Sequence, residues 1–161
     1  MTQVAEAMTR GVRTMSPNDS IQLAAQAMDE LNVGVVPVCD GDRLLGMVTD
    51  RDIAVRGVAQ GRPPESTPLR EVMSGDPLWC FEDDPLEQAI EQMRDAQVRR
   101  LPVVDRDRHL VGILSLGDVS ATASTSDVAE ALACISEPAE PDRSGISAAS
   151  GPAGGGASQP R

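Results

Sequence analysis

Two short stretches place a hydroxyl and a carboxylate three residues apart where an extended run gives way to a helical one: Thr49 with Asp52, and Ser115 with Asp118. A helix start exposes backbone N–H groups and the positive end of the helix dipole, so both side chains would project where anions are favoured. A carboxylate there can accept from the two hydroxyls of a ribose, while the hydroxyl and free amides can donate to a phosphate. The same spacing has a second reading. A hydroxyl followed three residues later by an acid is also a capping box, in which both side chains only satisfy the helix's own donors. Aspartate is shorter than the usual Glu or Gln, so its carboxylate is expected to reach back poorly and to remain available to a ligand. Both readings stand at this point.

Other chemistry is thinly supplied. All fourteen basic residues are Arg and none is Lys, which removes Schiff-base catalysis and the lysine of a phosphate-binding P-loop. His109 is the single histidine and sits in a polar DRDRH turn, where a solvated side chain is expected and no metal site. Cys39, Cys80 and Cys134 are odd in number and widely spaced, so neither a disulfide framework nor a zinc motif is encoded locally. No Ser-His or Cys-His arrangement can be tied to a cleft, and an enzyme is not expected. The net charge of −11 repels phosphodiester backbones and disfavours nucleic acid as a partner. The N-terminal MTQVAEAM lacks a basic, then apolar, leader. The longest apolar stretch, near Val35 to Cys39, falls far below the roughly 20 residues of a membrane span, so no membrane association and a cytoplasmic location are expected.

The elements that must position these residues occur twice. At an offset of 65, Glu6 pairs with Glu71, Met8 with Met73, Ala24 with Ala89, Met28 with Met93, Pro37 with Pro102 and Asp40 with Asp105. One inserted residue moves the offset to 66, which pairs Gly46 with Gly112, Thr49 with Ser115 and Asp52 with Asp118. Two copies make a pseudo-symmetric pair, where solenoids need three or more repeats. A unit of about 60 residues is marginal alone, so the copies should share a core. With Trp79 and Phe81 the only aromatics, that core must be built from Val, Leu, Ile, Met and Ala.

Periodicity fixes the unit. After Asp19 or Ser20 as cap, Ile21, Ala24, Ala25, Met28 and Leu31 fall on one helical face; Leu86, Ala89, Ile90, Met93 and Ala96 repeat it. Each helix leads to a short strand, Val35 to Val38 and Leu101 to Val104. The prolines inside, Pro37 and Pro102, argue for an edge strand or a strand end. Second strands, Leu44 to Val48 and Leu110 to Leu114, deliver second helices at Thr49 and Ser115. With extended segments at Val12 to Met15 and Leu78 to Phe81, the unit is β-α-β-β-α. Domain limits of 4–62 and 66–121 follow. Residues 57–68, rich in Gly and Pro, read as a surface linker. A C-terminal helix within 122–136 is expected from Asp127 to Ile135, with Asp127 and Glu130 as a capping box and Val128, Ala131, Leu132 and Ile135 on one face. The Gly, Pro, Ser and Ala of 137–161 are read as a disordered tail.

The junctions GMVTDRDI and GILSLGDV, each preceded by a turn and a PV strand, resemble the signature of cystathionine-β-synthase (CBS) domains. Two in tandem over residues 4–121 resemble a CBS pair, or Bateman module, and TDRDIAVRG and QVRRLPVV are similar to small stand-alone bacterial members of the hypoxic-response type. The resemblance implies an α+β fold with two pseudo-twofold-related clefts that bind adenine nucleotides or related adenosyl ligands and serve regulation. On that basis Thr49, Asp52, Ser115 and Asp118 are the candidate ligand residues. Arg51, Arg56, Arg99 and Arg100 are candidates for phosphate oxygens, and the backbone at Val35 and Leu101 for an adenine ring. Because Arg99 and Arg100 belong to the second copy, where Gly34 and Val35 stand in the first, the Ser115–Asp118 cleft is expected to bind more tightly. No built-in cofactor is expected beyond a regulatory AMP, ADP, ATP or S-adenosylmethionine. A homodimer and an unknown protein target are the expected partners. Two alternatives remain: an interaction module with empty clefts, and a metal- or redox-responsive pair using Cys39 or Cys80.

Overall fold

A computed structural model describes residues 2–122 and 125–135. The fold is α+β, and its two copies follow the repeat. In the first, α2 (Ile21–Leu31) is opened by Ser20, whose Oγ accepts from the Leu23 N–H at 3.1 Å, and closed by Asn32 in the left-handed region. In the second, α4 (Leu86–Ala96) starts after Pro85 and closes at Gln97, the matching position, with the same left-handed turn. The buried faces are Ile21, Ala24, Ala27 and Met28, and Leu86, Ala89, Ile90 and Met93. Ala25, Leu31 and Ala96 are exposed, because the stripe facing the core is narrower than the apolar pattern.

Each helix delivers an antiparallel hairpin. β1 (Val35–Asp40) pairs with β2 (Arg43–Thr49), and β4 (Arg100–Val104) with β5 (Leu110–Ser115), each with a register shift at the same repeat position. β3 (Cys80–Phe81) runs parallel to β4, which makes β4 the central strand of three. Pro102 is therefore neither on an edge nor at a strand end. The first copy explains why proline is tolerated there. Met15, bridging Val38 in the place of β3, bonds the carbonyl of Pro37 and the N–H of Cys39, so the missing proline N–H is never required.

The leading segment of each copy is exchanged into the other. α1 (Val4–Ala7) and Met8 pack into the second copy's core with Cys80, Leu86, Ile90, Met93 and Leu114. Leu69, on a single helical turn at Leu69–Glu71, and Val72, which caps it, complete the first copy's core with Ile21, Met28, Val36 and Val48. Thr9 then bridges Ile113, and Ser74 bridges Met47. Here lies the reason for the glycine in each junction. A Cβ on Gly112 would meet the Thr9 carbonyl oxygen at 2.6 Å, and one on Gly46 would overlap that of Ser74. A third cluster, Cys39, Leu44 and Val104 with Trp79 and Phe81, joins the copies. The hairpin turns meet there too: the Leu110 N–H donates to the Asp42 carbonyl at 2.8 Å.

The helical run after β2 consists of α3 (Asp50–Asp52), a wide turn at Ile53–Gly57 and a tight turn at Val58–Gln60. The segment that follows is more than a surface linker. The carbonyls of Thr67 and Pro64 accept from the N–H groups of Ile21 and Gln22, satisfying donors that open α2, and Thr67 is buried with its hydroxyl on the Pro63 carbonyl. After β5 come α5 (Leu116–Thr122) and α6 (Thr125–Ile135). α6 starts two residues before Asp127, which puts that residue in the first turn rather than at the cap. Val128 and Ile135 pack on the second core, Arg94 pairs with Glu130 at 3.5 Å, and Leu132 is exposed. The expected disordered tail, 137–161, lies outside the described residues.

Candidate functional site

Both junctions close as reciprocal capping boxes. Thr49 Oγ1 accepts from the Asp52 N–H at 3.0 Å while Asp52 Oδ2 accepts from the Thr49 N–H at 3.0 Å. Ser115 and Asp118 repeat this at 3.1 and 2.9 Å. The expectation that aspartate reaches back poorly is corrected: the extended backbone of the capping residue Thr49 brings its N–H within range of the shorter side chain. Capping leaves acceptor capacity, since an ionised carboxylate has about four lone-pair sites. Among the described residues, the Oδ1 of Asp118 meets only the Thr9 hydroxyl, at 3.5 Å.

Two of the clefts that flank these junctions are built across copies. A cleft of about 350 Å³ joins Ser115 and Asp118 of the second copy to the β1 residues Val35 to Pro37 and to Thr9 and Arg13. Its pseudo-twofold counterpart, about 580 Å³, joins Thr49, Asp50 and Arg51 of the first copy to Arg99, Arg100, Leu101 and Pro102 and to Ser74 and Asp76. Arg99 therefore lies on the Thr49 cleft. Arg100 lines both clefts, as does Val35. Arg99 and Arg100 also line a third cleft, about 490 Å³, with Ser115, Leu116 and Gly117 of their own copy, so the arginine pair borders both junctions.

Asp118 lines its cleft, whereas Asp52 is not among the residues lining the Thr49 cleft. Arg56 lies on neither. Its Nη1 donates to the carbonyls of Val72 and Met73 at 3.3 and 3.5 Å, tying the helical run after β2 to the exchanged segment. Among the described residues, the side chains of Arg51, Arg99 and Arg100 make no hydrogen bond or ion pair, while Arg13 is held by Glu30 at 2.8 Å. Sequence reasoning missed Thr9, Arg13, Asp50, Ser74 and Asp76. Thr9 and Ser74 carried a signal, for they pair at the repeat offset of 65 and both bear hydroxyls.

The cysteines and the histidine sit elsewhere. Cys39 and Cys80 are buried, and burial is the main cause that pushes their thiols up to about 11 and about 12, so they stay protonated and weakly nucleophilic. His109 Nδ1 lies 3.2 Å from Asp105 Oδ2. The backbone N–H of His109 leads the hydrogen bonds that hold the Asp105 carboxyl below the usual carboxylate range. Asp105, Asp107 and His109 bring ligand-type atoms within 4.8 Å of one another.

No helix among the described residues is long and apolar enough to cross a membrane. The CBS-domain family model matches residues 4–57 and 69–124. The CBS domain-containing protein YhcV of Bacillus subtilis is 45% identical over 129 residues, which cover 80% of this chain and 91% of YhcV. Three solved structures share the fold. Hypoxic Response Protein I with two coordinated zinc ions has a TM-score of 0.70 at 32% identity, covering 76% of this chain and 100% of that one. The CBS domain pair of MJ0100, in complex with 5-methylthioadenosine and S-adenosyl-L-methionine, gives 0.65 at 30%, covering 75% and 94%. PAE2072 from Pyrobaculum aerophilum, complexed with AMP, gives 0.68 at 25%, covering 81% and 98%. With the family model matching twice, over most of the chain, and a relative 45% identical, the chain belongs to the CBS-domain family and carries two CBS domains in tandem.

Proposed function

We propose that this protein is a non-catalytic regulatory module that binds an adenosine-containing ligand, AMP, ADP, ATP or S-adenosylmethionine, in its two cross-copy clefts. The observation that carries the reading is the Thr49 cleft: three arginines without side-chain partners among the described residues line it beside a helix start, with Asp50 and Asp76, in a chain of net charge −11. Cationic forks left unpaired in so acidic a molecule fit an anionic ligand. Two similar domain pairs are complexed with AMP or with adenosyl ligands, which supports the adenosine part. A regulatory role suits a chain with no lysine, two of its three thiols buried and its one histidine held at a turn away from both clefts. Such a module works in the cytoplasm, where its ligands are. It signals as a homodimer or to a protein target, and the exposed Leu23, Val55 and Val58 on the first copy's helices offer an apolar face for assembly.

The test is a thermal-shift screen with AMP, ADP, ATP and S-adenosylmethionine, since a ligand at 100 times its Kd stabilises the native state by about 2.7 kcal/mol. Calorimetry with the best ligand on Asp52→Ala and Asp118→Ala follows. A ribose held by either carboxylate would cost about 1.5–3 kcal/mol when that carboxylate is removed, at least tenfold in affinity. No shift with any of the four would leave an interaction module with empty clefts. The zinc-bearing relative gives a metal-responsive reading one footing. The donor set that fits it is Asp105, Asp107 and His109 rather than the buried cysteines, and a zinc-dependent melting shift reversed by chelator would favour it.

A further inference from the structure

The wall between the two clefts is asymmetric. Val35 and Arg100 occupy the same position of the repeat, 65 residues apart, at the starts of β1 and β4. Each lines both clefts, so the pair forms the partition where the clefts abut. On this partition a perfect repeat would set either two cations or none. This chain sets one, and that guanidinium makes no hydrogen bond or ion pair among the described residues.

We infer that Arg100 is a shared phosphate ligand that couples the two clefts, so that an anionic nucleotide in one lowers the affinity of the other for a second. The inference rests on the adenine-nucleotide reading of the clefts. A guanidinium fork engages one phosphate group bidentately and cannot present the same N–H groups to a second on the opposite side of the partition. The remaining charges decide which cleft wins. The Thr49 cleft holds Arg51 and Arg99 as well, against Asp50 and Asp76, and a phosphate there draws Arg100 into a set of three cations. The Ser115 cleft is then left with the carboxylate of Asp118 and with Arg13, already bound to Glu30. Losing a charge-assisted bond to phosphate weakens the second step by about tenfold or more. By linkage, a nucleotide in the Ser115 cleft weakens the Thr49 cleft by the same factor. The pair would thus work as a one-nucleotide sensor over a wide concentration range.

Calorimetric titration with ADP tests this on the wild type, Arg100→Ala and Val35→Arg. The wild type should take up ADP in two steps at least about tenfold apart, or in one step alone. Val35→Arg gives each cleft its own cation and should tighten the second step to within a few-fold of the first. Gain of affinity is a result that structural damage does not produce. Arg100 is exposed, so Arg100→Ala should fold normally, weaken the tighter step and narrow the gap to the difference that the other cleft charges impose. Two equal steps in the wild type, or a gap in Arg100→Ala as wide as in the wild type, would overturn the coupling while leaving the nucleotide reading intact. No ADP uptake by the wild type at either cleft would overturn the nucleotide reading, and the coupling with it.

Discussion

Gly112→Ala tests the exchange of leading segments, the feature that makes two short repeats one folding unit. A Cβ at this position stands 2.6 Å from the Thr9 carbonyl oxygen, 2.9 Å from Met8 Sδ and 3.2 Å from Met8 Cγ. The methionine side chain can swing aside; the carbonyl cannot. Thr9 is bound on both sides of its bridge, donating to the Ile113 carbonyl and accepting from the Ile113 N–H, each at 2.9 Å. Relieving the overlap means lifting the segment off β5 or distorting the strand, an overpacking cost of about 1–3 kcal/mol. Against it stands the reduced entropy of the unfolded chain when alanine replaces glycine, about 0.4–1 kcal/mol. The clash wins, for a net loss of about 1–2 kcal/mol. At roughly 2–8 °C per kcal/mol for domains on either side of this size, melting should fall by several degrees. Gly75→Ala is the control, since no heavy atom lies within 4 Å of its Cβ position; it should be neutral or slightly stabilising. Urea unfolding of the three proteins at pH 7 gives the differences directly. A Gly112→Ala variant as stable as the wild type would refute the close passage of Thr9 across β5, and with it the cross-copy construction of the Ser115 cleft.

The cap at Asp118 should be worth about 1 kcal/mol in the absence of ligand: Asp118→Ala should lose that amount, while Asp118→Asn, which keeps an oxygen for the Ser115 N–H, should lose less. Equal losses, measured by denaturant unfolding, would show that the carboxylate is not capping. The thiols give a pH signature. Because Cys39 and Cys80 ionise at about 11 and about 12 when folded and nearer 8.5 when unfolded, the unfolded chain releases protons first. Their contribution is complete below about pH 8.5 and is lost as pH rises from there through the folded values. Replacing both by alanine should flatten the alkaline limb of the stability profile, and an unchanged slope would contradict their burial as thiols.

The repeat, the two central helices and the four hairpin strands were legible in the sequence because they are written in short-range pattern: apolar spacing of three and four, a serine before Ile21, and β-rich runs ending in acidic turns. So were the hydroxyl–carboxylate pairs, whose partners lie three residues away. Where the pattern offered two options, tertiary structure chose. Ala25 and Leu31 share the apolar period yet face solvent, and Pro102 sits in a central strand whose neighbour never asks for its N–H. Nothing local told that Arg99 reaches the other copy's junction, where the guanidinium of Arg56 is anchored, or why a glycine precedes each hydroxyl. Those answers depend on Thr9 lying across Ile113 and Ser74 across Met47, contacts that join one copy to the other. Local propensity acts over a turn of helix or a strand; a cleft assembled from two copies exists only once loop closure has been offset by the shared core. The sequence by itself thus determined the repeated parts and the chemical groups they carry. Tertiary structure alone decided their pairing, since that depends on which apolar faces bury each other across more than a hundred residues of chain.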